Sequence, residues 1–442
     1  MEYIYYFCKN YFLQIKIPQM NLSQRDKVHN WHPYTQHKTA ADFPAIVKGK
    51  GALLWDENGK EYIDAIASWW VNPFGHSNQV IADAIYRQLT TLEHVLFGGF
   101  THNKAIELSE KLMEILPSNQ QKIFYSDNGS TAVEVALKVA LQYNYNKGIK
   151  KTKIIAFEEA FHGDTFGAMA ASGISFFTEA FKGSLLEVVR IPVPTSGNEE
   201  KCLNILEKLA KSNEFAAFIF EPLVLGAAGM VMYKPEILDK LIAICKENNI
   251  FTISDEVMTG FGKTGKTFAT DYLQNKPDMM CLSKALTGGT IPMAITTFTQ
   301  ELFDGFYDDD TNKALFHGHT YTANPTGCAA ALASISLLQT IEMQDNIHLI
   351  NQSHLAFENK IKNHPKVKTT RVLGVIFALE INTESQETYY GTIRNKLYNF
   401  FIENGVILRP VGNIVYILPP YIITKKQLQK VYQTIENALE IV

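Results

Sequence analysis

Two residues whose types suit chemistry follow separate apolar runs of the chain. Asp255 comes after the run 250–253, and Lys284 comes after the run 279–282. A lysine that ends a buried strand is costly to desolvate unless it is neutral or used covalently, and one covalent use is a Schiff base to pyridoxal phosphate (PLP). The aspartate would then keep the pyridine nitrogen protonated, which makes the ring withdraw electrons. The two residues together predict a PLP-dependent enzyme.

A third segment suits phosphate binding. The apolar run 122–125 passes through residues 126–131 directly into a helical pattern, so the amides of Gly129 and Ser130 converge at a helix N-terminus. Free N–H groups and the helix dipole favour a phosphate dianion at such a place. Alone, the segment is also consistent with an ordinary capped helix after a turn. Beside the lysine and the aspartate, it predicts the site of the PLP phosphate.

A competing motif predicts a protein of another class. Residues 260–267 read GFGKTGKT, which satisfies the nucleotide-binding pattern GxxxxGK[ST]. Such a loop should leave its strand directly and open a strong helix, but here residues 255–259 intervene, and Asp255 and Glu256 would repel a triphosphate. The stretch that follows is short and closes at Pro277, which favours a loop. A P-loop nucleotide-binding protein therefore remains the remote alternative.

The elements around these residues predict an α/β fold. Short apolar runs alternate with helical patterns, which is typical of a mostly parallel sheet covered by helices on both faces. The predicted strands are 122–125, 153–157, 217–220, 250–253, 279–282 and 294–298. Between the first two, Val135, Ala136, Val139 and Ala140 recur at helical spacing within the predicted helix 131–143.

The pattern changes after about residue 336, and it predicts a second, smaller α+β domain. A long helix is followed by strands at 375–379, 406–408 and 414–417, and then by a last helix that Thr424 and Gln427 begin as a capping box. The predicted division is a possible extension at 1–19, an N-terminal segment 20–74 joining the small domain, a large PLP-binding domain 75–335 and a small C-terminal domain 336–442.

Composition excludes several classes of function. With 442 residues, of which 46% are hydrophobic and 19% charged, the chain can bury a large core and normally divides it between two domains. A net charge of -4 gives no basic surface for nucleic acid. No apolar run is long enough to predict a membrane span, and residues 1–19 lack the basic start and cleavage site of a signal peptide. We expect them to be a disordered extension or an upstream translation start.

Cysteine usage predicts a reducing, cytoplasmic location. The five cysteines are scattered without a CxxC pair, which argues against both a disulfide framework and a structural zinc site. No other cluster of ligand residues suggests a metal.

Several separated segments resemble the class III, omega-type aminotransferases. They are residues 31–35 (WHPYT), 68–70 (SWW), 97–99 (FGG) and 161–167 (FHGDTFG). The resemblance runs from about residue 31 to the C-terminus. It implies the PLP-dependent transferase fold of type I, with Lys284 and Asp255 as catalytic residues. Lys284 would remove and return the proton during amino transfer, with ping-pong kinetics.

The resemblance also implies roles for residues around the cofactor. Phe161 would stack on one face of the PLP ring, and His162 would orient the cofactor's surroundings. Glu221 would be an acid near a cofactor oxygen, although a strand-end carboxylate that caps a loop is an equal reading. Thr320 would reach the phosphate bound by the neighbouring subunit, so the active site would exist only in a homodimer.

Within the family, the resemblance is closest to members that take S-adenosyl-L-methionine as amino donor and 8-amino-7-oxononanoate as acceptor. This acceptor has a long methylene chain ending in a carboxylate, so its site needs an apolar wall and a distant cation. The expected substrate-binding residues are Tyr34, Trp69, Trp70, Gly318, Arg409 and Tyr416. Of these, Arg409 would bind the carboxylate through both guanidinium nitrogens.

Three departures from that subgroup leave the amino donor open. Phe161 stands where its members have tyrosine, Lys263 where they have arginine and His319 where they have proline. Phenylalanine and lysine cannot reproduce the hydrogen bonds of tyrosine and arginine. Lysine or another omega-amino acid is therefore the alternative donor. Glutamate-1-semialdehyde aminomutase, which shifts an amino group within one molecule, shares the same lysine and aspartate.

Overall fold

The computed structural model describes residues 20–173, 175–383 and 392–442, so the predicted extension 1–19 lies outside the described residues. The strands are β1 (Ile46–Lys50), β2 (Leu53–Asp56), β3 (Glu61–Asp64), β4 (Gln120–Ser126), β5 (Lys153–Phe157), β6 (Val188–Ile191), β7 (Phe215–Phe220), β8 (Val224–Leu225), β9 (Val231–Met232), β10 (Phe251–Asp255), β11 (Met279–Leu282), β12 (Ala294–Thr299), β13 (Val367–Leu373), β14 (Ile376–Ile381), β15 (Val406–Ile407) and β16 (Ile414–Ile417). All the strands predicted from the sequence are present, with ends that move by a residue or two.

Helices connect most of these strands. The α-helices are Leu22–His29, Gln79–Leu89, Asn103–Met113, Gly129–Asn146, Phe166–Ala171, Ser175–Thr178, Glu199–Ala210, Pro235–Glu247, Gln300–Asp304, Pro325–Leu338, Ile341–Ile361, Thr392–Glu403 and Lys425–Ile441. A further helical turn, Ala67–Trp70, contains residues with non-helical φ and ψ. Short 3-10 helices span Glu179–Ser184, Ala269–Tyr272, Lys284–Thr287 and Thr311–Lys313. The predicted capping box of the last helix is confirmed, because Thr424 and Gln427 satisfy each other's amides.

The largest sheet has the order β4-β12-β11-β10-β7-β5-β6. β12 runs antiparallel to both of its neighbours, β11 and β4, while the remaining pairs are parallel. The prediction of a mostly parallel sheet is therefore confirmed. Because the parallel strands all point the same way, their carboxyl ends meet at one edge, which is where α/β folds place ligands.

Helices cover both faces of this sheet, as the unbroken apolar strands predict. Alternate residues of each strand face opposite layers of core: Phe218 and Phe220 pack in one cluster, and Ala217 and Ile219 pack in the other. Gly129–Asn146 covers the second face, and the residues that gave its periodicity in the sequence are all buried. The periodicity was thus a correct sign of its buried side.

Smaller sheets join the two ends of the chain. β15 pairs in parallel with β3, so a strand from the C-terminal region completes the sheet of β1, β2 and β3. A second small sheet has the order β13-β14-β16. These pairings agree with an N-terminal segment that joins a C-terminal domain, and the predicted domain boundaries stay a prediction.

Two further features concern compartment and membrane. In the part of the chain that the structure describes, no single helix is long and apolar enough to cross a membrane; Pro325–Leu338 and Ile341–Ile361 reach that length and composition only as a pair bent by 67°. Cys202, Cys245, Cys281 and Cys328 are all buried free thiols.

Candidate active site

A cavity of about 830 Å³ lies at the edge where β4, β5, β7, β10 and β11 end. It brings together most of the residues predicted from the sequence. These are Tyr34, Trp69, Trp70, Gly129, Ser130, Phe161, His162, Asp255, Lys284, Arg409 and Tyr416. Gly318 and Thr320 are exposed and do not line the cavity of the single chain.

Lys284 stands in this cavity because the chain turns sharply after β11. The residue begins a short 3-10 helix with a positive φ of 49°, an uncommon conformation for a side chain with a Cβ. Its Nζ lies 4.5 Å from the ring centre of Trp70. Burial lowers the pKa of Lys284 from 10.5 to about 8, while Asp255 and Glu221 oppose that change. This amine therefore loses its proton at a lower pH than an exposed lysine does.

Asp255 is the last residue of β10 and is almost fully buried. Its Oδ2 lies 2.6 Å from Nδ1 of His162, and its Oδ1 accepts a hydrogen bond from the amide of Val257 at 3.1 Å. The other ring nitrogen of His162, Nε2, is buried and has no hydrogen-bond partner among the described residues. The histidine thus fixes the direction of the carboxylate and leaves a polar atom for a ligand.

Glu221 follows β7 and holds two loops at the cavity. Its Oε1 accepts from the amide of Phe161 at 3.0 Å, and its Oε2 accepts from the amide of Gly226 at 2.9 Å. Burial raises the pKa of Glu221 from 4.5 to about 7; His162 lowers it and Asp255 raises it further. The alternative reading from the sequence, a strand-end carboxylate that caps a loop, describes these contacts, and the residue also lines the cavity.

The predicted phosphate site is a helix N-terminus open to the cavity. Asn128 caps the helix Gly129–Asn146 by accepting from the amide of Thr131, and the first amides of the helix have no acceptor within it. Ser130 Oγ lies 2.8 Å from the hydroxyl of Thr165. A Cβ on Gly129 would come within 2.6 Å of Val257. Position 129 therefore has no room for a side chain beside Val257, and both residues line the cavity.

Aromatic residues form another part of the cavity lining. The guanidinium of Arg409 lies 4.2 Å from the ring centre of Trp69, and it forms no ion pair with the described residues. Tyr34 packs edge-on against Trp69 and donates a short hydrogen bond to Asp164. Tyr416 is buried with its ring against Trp70. An apolar surface thus leads to a cation that is available to an anionic ligand.

The glycine-rich segment 260–267 is built into the core. Phe261, Lys263 and Thr264 are at most 1% exposed. The Nζ of Lys263 donates to the carbonyl of Gly260, and the carbonyl of Lys263 accepts from the amide of Val375, the residue before β14. These atoms are used within the protein, so the segment offers no cradle for a nucleotide phosphate. The P-loop alternative finds no support in the structure.

The residues of the cavity fit PLP. The open helix N-terminus suits its phosphate, Asp255 suits its ring nitrogen, the unpartnered His162 nitrogen suits its polar substituents, and Lys284 suits its carbonyl carbon. Bound there, PLP would supply the electron sink that lets an amino group move between two molecules. This fold and this set of groups define a PLP-dependent transferase of fold type I.

Comparison with known proteins agrees and narrows the class. The chain matches the family described as "Aminotransferase class-III" over residues 34–439. It is 42% identical over 420 residues to the adenosylmethionine-8-amino-7-oxononanoate aminotransferase of Synechococcus elongatus, covering 93% of this chain and 98% of that one. The enzyme of that name from Helicobacter pylori is 35% identical over 428 residues, covering 93% and 96%. The chain therefore belongs to the class-III aminotransferases, and it is a transferase.

Solved structures give the same result. The crystal structure of adenosylmethionine-8-amino-7-oxononanoate aminotransferase from Methanocaldococcus jannaschii matches with a TM-score of 0.91 and 34% identity, covering 95% of this chain and 99% of that one. The omega transaminase from Pseudomonas jessenii in complex with PMP matches with a TM-score of 0.90 and 27% identity, covering 95% and 98%. The predicted fold, cofactor and enzyme class are confirmed.

Sequence reasoning missed several residues of the cavity. Val257, Phe177 and Asp164 all line it. Asp164 lies within a segment that carried the family resemblance, and Val257 comes two residues after Asp255, so both stood beside residues that the sequence had singled out. Phe177 gave no signal, because an isolated phenylalanine in the sequence is more often part of the core.

Proposed function

We propose that this enzyme transfers an amino group from S-adenosyl-L-methionine to 8-amino-7-oxononanoate and forms 7,8-diaminononanoate in biotin biosynthesis. The observation that carries the proposal is one cavity that contains both Lys284, beside Trp70, and Arg409, stacked on Trp69. This arrangement suits an acceptor whose reacting carbonyl and terminal carboxylate are separated by a methylene chain. The names of the relatives at 35% to 42% identity support the same substrates.

In this reaction the chain's own residues bind, orient and move a proton. Lys284, with its pKa lowered to about 8, can take a proton from the amino donor's carbon in the first half-reaction and deliver a proton to the acceptor's carbon in the second. Asp255, held by His162, would keep a proton on the ring nitrogen of the cofactor. Glu221 would hold Phe161 against the cofactor's face through its backbone amide.

Acceptor binding follows from the aromatic part of the cavity lining. Trp69, Trp70 and Tyr34 provide flat apolar surfaces for the methylene chain. Arg409 would bind the terminal carboxylate with two parallel hydrogen bonds. Tyr416 stays a proposed contact beside Trp70. An intramolecular aminomutase would not need these residues, since its substrate has no long methylene chain.

Three residues that differ from those of adenosylmethionine users affect the choice of amino donor. Phe161 lacks the hydroxyl expected in adenosylmethionine users, and its ring lies near Phe177. Lys263 does not line the cavity, so it would affect donor binding only from behind the wall. His319 lies in the segment that also holds Thr320. These features make lysine the second candidate donor.

The experiment is turnover of 8-amino-7-oxononanoate by the purified PLP-loaded enzyme, with formation of the diamine followed by mass spectrometry. S-adenosyl-L-methionine and lysine are supplied separately at equal concentration. The proposal expects diamine with S-adenosyl-L-methionine and much less with lysine. Formation of the diamine with lysine but not with S-adenosyl-L-methionine would identify lysine as the donor. No diamine with either donor would refute the proposed acceptor.

We also propose a homodimer with shared active sites. Phe316 and Tyr321, on either side of Thr320, are 74% and 63% exposed, and such large apolar side chains favour an interface. In that interface Thr320 and Gly318 would complete the cavity of the partner subunit. The free buried cysteines are consistent with a cytoplasmic location, which we propose as well.

A further inference from the structure

The turn that carries the two cavity tryptophans has an unusual backbone. The residues of Ala67–Trp70 have consecutive positive φ values of 45°, 59°, 131° and 69°, and none of them is glycine. A positive φ is unfavourable for residues with a Cβ and persists only where the surroundings impose it. Groups outside the turn must therefore hold it.

Asp64, the last residue of β3, is one such group. Its side chain is fully buried below the turn. Oδ1 accepts from the amides of Ser68 at 3.0 Å and Ile66 at 3.3 Å, and Oδ2 accepts from the hydroxyl of Ser68 at 2.9 Å. One carboxylate thus binds both donors of Ser68, inside the strained segment, and the amide of Ile66 just before it.

His76 holds the carboxylate in place from the other side. Its Nε2 lies 2.8 Å from Oδ2 of Asp64, so this nitrogen donates, and its Nδ1 lies 3.0 Å from the side-chain amide of Asn72. The backbone of His76 pairs with that of Gly51 in both directions. The residue that carries the imidazole is therefore anchored to the connection between β1 and β2, and it does not line the cavity.

The turn determines where both tryptophan rings stand. Trp69 lies under the guanidinium of Arg409, with 4.2 Å between the guanidinium carbon and the ring centre. Trp70 lies 4.5 Å from Nζ of Lys284 and packs edge-on against Tyr416. A movement of the turn would displace the support of the cation and the neighbour of the catalytic amine together.

We infer that Asp64 and His76 are positioning residues of the active site, which act through the Ala67–Trp70 turn on Arg409 and Lys284. The carboxylate fixes the turn, the imidazole fixes the carboxylate, and the tryptophan rings transmit this geometry to the substrate. The inference rests on the proposed function only for the identity of the substrate.

The test begins with Asp64→Ala and its conservative partner Asp64→Asn. The alanine variant loses all three bonds to Ile66 and Ser68. We expect it to raise the KM for 8-amino-7-oxononanoate about tenfold or more and to lower kcat less, because a loss of about 1.4 kcal/mol of binding free energy is enough for a tenfold change. The asparagine variant keeps one oxygen for the backbone amides, so its KM should lie between those of the wild type and the alanine variant. His76→Ala should shift KM in the same direction, and His76→Gln, which keeps a donor, should restore part of it.

Asp278→Ala is the matched control. Asp278 also accepts two hydrogen bonds, from the amide and hydroxyl of Thr252, but it precedes β11 at the opposite edge of the sheet. We expect Asp278→Ala to lower the stability of the enzyme without changing the KM for 8-amino-7-oxononanoate. Combined with Arg409→Ala, the Asp64 variant should add little to the KM effect, whereas the Asp278 variant should not interact with it.

A fluorescence measurement keeps this test separate from the proposed function. In a Trp31→Phe and Trp55→Phe background, emission comes from Trp69 and Trp70, and Asp64→Ala should increase its quenching by acrylamide while Asp278→Ala leaves it unchanged. No turnover by the wild type would refute the proposed substrates and leave this readout intact. Unchanged quenching and an unchanged KM in Asp64→Ala and His76→Ala would overturn the inference.

Discussion

At the scale of single residues, burial controls the charges around the cavity. Lys284 and Lys263 have lowered pKa values because both amines are removed from water, and Glu221 has a raised pKa for the same reason. None of these shifts could be read from the sequence, which gives residue types but not their distance from solvent. The sequence did identify Lys284 and Asp255, because each ends an apolar strand where an unused charge would be costly.

Arg409 gives the first prediction. Arg409→Ala should raise the KM for 8-amino-7-oxononanoate by about tenfold to a hundredfold, since a charge-assisted hydrogen bond contributes about 1.5 to 3 kcal/mol. An acceptor analogue whose terminal carboxylate is replaced by a neutral amide should show little change between the two enzymes. Steady-state kinetics with both acceptors measures the difference.

Two results would contradict the role of Arg409. One is an equal rise in KM for the neutral analogue, which would show that the variant damages the cavity in general. The other is an unchanged KM for the natural acceptor. Arg87→Ala, at an exposed position of the helix Gln79–Leu89, is the control and should leave both constants unchanged.

Lys263 gives a prediction about pH. Burial, followed by the nearby Lys284, lowers the pKa of Lys263 from 10.5 to about 7, and Glu256 opposes the change. Between these values the unfolded chain holds more protons on this group than the folded protein, so its contribution to stability rises with pH. The Lys263→Met variant should therefore gain the most unfolding free energy over wild type near pH 7. This gain should shrink as the pH rises toward 10.

Denaturant unfolding of the PLP-free proteins at both pH values measures this change. Lys211→Met, at an exposed position, is the control for the general effect of removing a lysine. A difference in unfolding free energy between Lys263→Met and wild type that does not decrease with rising pH would contradict the assignment.

At the scale of elements, the sequence predicted most of the sheet for a simple reason. Strands buried on both faces need continuous apolar runs, and the helix Gly129–Asn146 needs an apolar stripe, so both leave patterns in the residue order. The Ala67–Trp70 turn leaves no pattern, because its positive φ values are imposed by Asp64 and not by glycine. The segment 260–267 misled for a related reason: its letters fit a nucleotide loop, and only its burial rejects one.

The start of the helix Gly129–Asn146 gives a prediction at this scale. Gly129→Ala should weaken PLP binding by about tenfold, because the added methyl would lie within 2.6 Å of Val257 and push the phosphate-binding amides away. Gly183→Ala, where an added methyl meets nothing within 4 Å, should not change PLP affinity. Titration of both PLP-free variants with PLP measures the two affinities. Equal affinities for the Gly129→Ala and Gly183→Ala variants would show that the phosphate lies elsewhere.

At the scale of the whole molecule, the sheet gathers residues that are far apart in the chain. Tyr34, near one end, and Arg409, near the other, meet at Trp69 because β15 pairs with β3. The sequence could place each residue near the end of an element, but it could not show that these elements close on one cavity. The family resemblance supplied that step.

The shared active site gives a prediction for the assembly. If Thr320 serves the partner subunit, a mixture of Lys284→Ala and Thr320→Ala protomers should form dimers with one intact site and recover activity at limiting PLP. If Thr320 served its own chain, no site in the mixed dimer would be intact. Activity before and after the subunits are exchanged is the measurement, and no recovery despite verified mixed dimers would contradict the proposal.

The central claim is that this enzyme carries an amino group from S-adenosyl-L-methionine to 8-amino-7-oxononanoate through PLP held by Lys284. The most direct measurement is the visible absorbance of the PLP-loaded protein while each compound is added in turn, without the other. We predict that S-adenosyl-L-methionine removes the visible band and that 8-amino-7-oxononanoate restores it after the first compound has been washed away. A band that only lysine removes, or no band after PLP is supplied, would contradict the claim.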